Sequence, residues 1–152
     1  MQVWTFLHII SMFVATSVVV GGELFALEAG RRRDLAALRA YFRLSGSLER
    51  LGGIALLAGI AFGLTAAAVG GLNLLQGWLV LAYVLVATGT IVGAASTPYF
   101  NRLRAAIDAI EGDGSSPDLD RMLASPTPYL LTGISILVLA TIIWDMVFKP
   151  SF

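Results

Sequence analysis

The chain has 152 residues, 57% of them hydrophobic and only 13% charged, with a mean hydropathy of +0.83. Its ten basic and ten acidic residues cancel, so bulk charge selects no partner, and the composition excludes a nucleic-acid-binding domain and a disordered chain. Cysteine is absent, which removes disulfides, thiolate metal sites, iron–sulfur clusters and cysteine nucleophiles. Such a chain belongs in a lipid bilayer.

A spanning helix needs about 20 mostly apolar residues, because the hydrocarbon layer is ~30 Å thick and a helix rises ~1.5 Å per residue. Residues 3–27 are the first such stretch, and they contain His8 and Glu23. No basic residue precedes them and the apolar run is too long for a signal peptide, so a retained helix is expected. Between Asp34 and Leu48, Leu35, Leu38, Tyr41, Phe42 and Leu44 recur near helical spacing with Arg39 and Arg43 between them. That pattern predicts an amphipathic helix lying on the inner leaflet, its arginines near anionic headgroups.

The second span is expected at 51–70 and the third at 75–97, both uncharged. Thr97-Pro98 reads as an N-cap followed by a proline at the first helical position, and Tyr99, Phe100, Leu103, Ile107 and Ile110 repeat the amphipathic pattern. Residues 112–116 read as a flexible break. Thr127-Pro128 repeats the cap-and-proline start at the fourth span, 128–148, which carries Asp145 near its end. The expected fold is all-α: a single-domain, integral membrane four-helix bundle with amphipathic helices in its cytoplasmic loops.

Arginine placement orients the bundle. Arg31, Arg32, Arg33, Arg39, Arg43 and Arg50 lie in the first long loop, and Arg102, Arg104 and Arg121 in the second. By the positive-inside rule both loops are cytoplasmic, so the N-terminus, the C-terminus and the turn between spans two and three face outward. Trp4, Trp78 and Trp144 then share the outer interface, where an amphipathic indole is favoured.

Helices in lipid associate through close backbone approach and interhelical hydrogen bonds. Ala55, Gly59, Gly63, Ala67 and Gly71 fall every fourth residue along the second span, and Gly89, Gly93 and Thr97 along the third. The short turn between these spans predicts that their small faces meet, with a homodimer interface as the rival use of the longer stripe.

Ionisable groups inside a membrane are functional candidates by default. His8 is the only histidine, and Ser11, Met12, Ala15, Val19, Gly22 and Glu23 lie within about 60° of it around the helix. That small, polar face is expected to point into the bundle. Glu23 is about 22 Å from His8 along the axis, so the two cannot touch, and it reads best as a carboxylate snorkelling to the inner interface. Asp145 belongs to the same leaflet as His8 and is placed to orient its imidazole. An imidazole in a bundle core is also a common axial ligand of haem b, with Met12, Met146, water or a second copy's histidine on the other face. No residue cluster supports a metal beyond a haem iron at His8.

Leu7-His8-Ile9, Arg31-Arg32-Arg33 and Gly77-Trp78-Leu79 resemble an uncharacterised bacterial family of predicted integral membrane proteins. More distantly the chain is similar to copper-resistance D membrane proteins and HemJ-type protoporphyrinogen oxidases. The resemblance implies a four-helix bundle in the bacterial cytoplasmic membrane, with His8 at the position of a first-helix histidine that the oxidases associate with haem b. Those oxidases carry a histidine and a lysine shortly after the third-helix tryptophan, where this chain has Val80 and Ala82. The residues for tetrapyrrole oxidation are therefore missing.

Three readings follow. The first is a non-catalytic membrane protein, accessory to a larger complex and in contact with lipid and with other subunits or a second copy. The second is a haem-b-binding redox or haem-handling protein using His8. The third is a subunit of a small oligomeric channel or transporter with Glu23 and Asp145 lining a path.

Overall fold

A computed structural model describes residues 2–110, 114 and 116–150; the break expected at residues 112–116 falls largely outside them. The helices are α1 (Gln2–Arg31), α2 (Leu35–Val69), α3 (Gly77–Asp108), α4 (Pro117–Leu123) and α5 (Thr127–Phe148). Four segments long and apolar enough to cross a membrane are built on α1, α2, α3 and α5, as the hydropathy predicts.

The two amphipathic segments are helical, but they do not stand apart from the spans. α2 runs without interruption for 35 residues and α3 for 32, or roughly 50 Å each against a hydrocarbon layer of ~30 Å. Both therefore project beyond the bilayer at the arginine-rich end. Pro98 lies inside α3 rather than at a helix start. It removes one backbone donor, a loss that membrane helices tolerate when nearby hydroxyls and carbonyls rearrange. Thr97 Oγ1 and Ser96 Oγ donate one turn back, to the carbonyls of Gly93 and Val92. At α5 the proline falls in the first turn as expected, but Thr127 is not the cap. It is the first helical residue, Pro126 precedes it without a side-chain cap bond, and the Thr127 N–H donates instead to Ser125 Oγ.

The projecting ends pack on one another instead of lying on lipid. Leu35, Leu38 and Phe42 of α2, Leu103 and Ile107 of α3, Ala29 of α1 and Leu119 of α4 form one buried cluster. Periodicity revealed the apolar faces but not what covers them. Polar contacts close this layer: Arg33 pairs with Asp120 at 2.8 Å, Arg39 donates to the Ile110 carbonyl at 2.8 Å, and the Tyr99 hydroxyl donates to the Met122 carbonyl at 3.0 Å.

The tight turns after α1 and α2 share one geometry. Asp34 N–H reaches the Ala29 carbonyl and Arg33 N–H the Gly30 carbonyl; Leu72 and Gly71 make the equivalent bonds to Ala67 and Ala68. This pairing ends a helix with one left-handed residue, for which glycine is favoured. Gly71 fills it after α2 at φ 69°, whereas Arg33 adopts φ 55° after α1. Asp34 then caps α2, its side chain accepting from the Ala37 N–H.

Within the membrane α1 packs mainly on α2 and α3 mainly on α5, while α2 and α3 touch little. The expected meeting of the second and third spans' small faces is therefore not what forms. The α2 stripe faces α1: a Cβ on Gly59 would meet Met12 and Ser11, one on Gly63 would meet His8, and Gly52 lies against Val18 and Val19. Ala55 and Ala67 of the same stripe are buried, while Gly71 belongs to the turn. On α3, Gly89 lies against Val138 of α5, and Gly93 has open space beyond it. A short turn makes two helices neighbours in sequence, but the glycine notches of α2 receive His8, Met12 and Val18 of α1.

Candidate functional site

Antiparallel packing puts Trp4, Trp78 and Trp144 at the end opposite the arginines. Trp4 lies against Phe62, Trp144 against Phe148, and the Lys149 ammonium sits 5.4 Å from the Trp78 ring centre. His8 is one turn deeper than Trp4. Its Nδ1 lies 2.7 Å from the Gly59 carbonyl oxygen of α2, and the missing side chain of Gly63 makes room for the ring. A carbonyl can only accept, so Nδ1 carries the proton. In the neutral imidazole Nε2 is then left with a free lone pair, the arrangement usual for a metal-bound histidine.

Met12, one turn below His8, packs its thioether against Gly59. Two ligands on opposite faces of one iron cannot come from one face of one helix, so Met12 does not oppose His8. Met146 is half-buried on α5, next to Asp145.

Glu23 is buried rather than snorkelled. Its Oε2 accepts a hydrogen bond of 3.0 Å from the Thr132 hydroxyl of α5. The helical face it shares with His8 carries it inward, where a partner waited that no local pattern could announce. This bond ties the α1–α2 pair to the α3–α5 pair.

Asp145 is fully buried. Gly89 against Val138 and Trp78 beside Lys149 set the α3–α5 register, which places Asp145 level with Ala82, itself buried. Neither carboxyl oxygen has a hydrogen-bond partner among the described residues. Asp145 and His8 thus share the outer half of the bundle without engaging each other. Asp145 and Thr132, the partner of Glu23, are thirteen positions apart on α5, or about 20 Å along the axis. Glu23 and Asp145 are therefore too far apart to exchange a proton directly. Among the described residues no group of three or more metal-ligating side chains gathers.

Four apolar spans joined by buried polar contacts define a helical integral membrane protein. Residues 2–150 match the family described as "Predicted integral membrane protein (DUF2269)", and the chain belongs to that family. No curated protein and no solved structure matches it. The likeness to copper-resistance D proteins and HemJ-type oxidases gains no support from these comparisons.

Proposed function

We propose that this protein is a non-catalytic component of a larger membrane assembly, a single four-span unit in the bacterial cytoplasmic membrane with its arginine-rich end in the cytoplasm. The observation that carries the reading is a division among the glycines. Gly22, Gly52, Gly59 and Gly63 each receive a side chain from inside the bundle, whereas Gly53 and Gly133 are exposed notches with nothing within 4 Å. In lipid, such notches are where a further helix approaches closely. His8 and Glu23, meanwhile, are engaged in joining the protein's own helices.

Blue-native electrophoresis of mildly solubilised membranes tests this. The chain should migrate in a particle that contains a second polypeptide in fixed ratio, and Gly53→Leu with Gly133→Leu should release it without unfolding it. A wild-type chain that always runs alone, or only with copies of itself, sinks the proposal.

One observation favours a second reading, a haem-b protein. His8 Nδ1 is taken up by the Gly59 carbonyl, so Nε2 is the nitrogen that would hold a haem iron, with Met146, water or a second copy as the further donor. Absorbance spectra of oxidised and reduced protein, beside His8→Ala, decide it. A Soret band that vanishes in the variant supports haem; a colourless protein expressed with haem supplied removes the reading.

A further inference from the structure

Where α3 leaves the membrane and α5 enters it, the surface opens into a groove of about 650 Å³. Two arginines from different helices line it, Arg102 of α3 and Arg121 of α4. Arg102 is exposed and pairs with no carboxylate among the described residues. Arg121 approaches Asp118, also in the groove, at 3.3 Å through one nitrogen, with both side chains largely exposed. A single long contact leaves most of the guanidinium donors of Arg121 available.

The remaining polar lining also donates. Ser125 Oγ accepts from the Thr127 N–H, which leaves its own hydrogen to give, and the exposed Thr127 hydroxyl is beside it. Thr127 is the first residue of α5, a 22-residue helix, whose N-terminal end adds a partial positive charge. The Tyr99 hydroxyl is held by the Met122 carbonyl, so its ring forms a wall. The groove begins where the uncharged parts of α3 and α5 end, which is the depth expected of lipid headgroups for a hydrocarbon layer of ~30 Å.

We propose that this groove binds the phosphate of an anionic phospholipid in the adjoining leaflet, with Arg102 and Arg121 as its cationic clamp and the acyl chains running along α3 and α5. Two guanidiniums suit a phosphate because each offers paired donors in a plane. A lipid is the source favoured, since a bilayer brings its phosphates to this depth.

The test is native mass spectrometry of the detergent-solubilised protein titrated with phosphatidylglycerol or phosphatidylcholine, beside Arg102→Gln/Arg121→Gln and a control, Arg43→Gln. Arg43 is exposed on α2, outside the groove. The wild type should retain phosphatidylglycerol preferentially, and the double variant should lose roughly fivefold of that preference per arginine. Arg43→Gln should keep it, and melting temperatures should match throughout. An undiminished preference in the double variant overturns the proposal, and an equal loss in Arg43→Gln replaces the groove with a diffuse field. Binding of inorganic phosphate as tight as that of phosphatidylglycerol, lost in the double variant, would make a free anion the ligand and overturn the lipid assignment.

Discussion

The His8 imidazole and the Gly59 backbone carbonyl meet at 2.7 Å across the α1–α2 interface. The ring reaches that carbonyl because Gly63, one turn further along α2, has no side chain. A Cβ there would lie 2.8 Å from Nδ1, and one on Gly59 would lie 2.6 Å from the Met12 sulfur. The two intrusions look alike but differ physically, since a thioether swings aside and an imidazole pinned by a hydrogen bond does not. Gly63→Ala should therefore cost about 1–3 kcal/mol by overpacking, and Gly59→Ala less, although Met12 Cγ at 3.0 Å and Ser11 Cβ at 3.4 Å keep it from being neutral. Thermal melts in one detergent compare them, and equal melting temperatures would contradict the notch.

Glu23 and Thr132 join the two helix pairs through one buried bond. Thr132→Val should destabilise the protein by about 1–3 kcal/mol, because the buried carboxyl loses its donor. In a double-mutant cycle with Glu23→Leu the coupling should be about 0.5–1.5 kcal/mol, the range for hydrogen bonds between membrane helices. Zero coupling would mean the bond does not form in the folded protein.

Among the described residues Asp145 has no hydrogen-bond partner for either carboxyl oxygen. Asp145→Asn preserves the shape and removes the possibility of an uncompensated buried charge, whose cost exceeds that of a buried neutral amide. At pH 8 the variant should melt higher than the wild type. A lower melting temperature would show that the carboxylate has a cationic partner in the membrane.

Stability should be concentrated at the arginine-rich end. Leu38 is completely buried in the cluster of projecting helices, whereas Leu137 on α5 is 66% exposed to the lipid side. Leu38→Ala should cost about 2–5 kcal/mol, as for other well-packed core leucines. Leu137→Ala, where a lipid tail replaces the lost methyls, should cost under about 1 kcal/mol. Chemical denaturation in mixed micelles measures both, and similar costs would place the core elsewhere.

Composition and periodicity by themselves determined that this chain is helical, that it has four spans, that α2 carries a continuous small-residue stripe, and that the arginines gather opposite the tryptophans. These are properties of single segments, set by residue type and by a helical period of ~3.6. Only the tertiary structure decided that the stripe receives α1 rather than α3, that Glu23 meets Thr132, that Asp145 is buried without a hydrogen-bond partner among the described residues, and that the amphipathic segments stand upright against each other. Periodicity identifies the face a helix must cover, but several faces of similar size compete for it. The winner is set by how complementary surfaces fit when all the helices are present together.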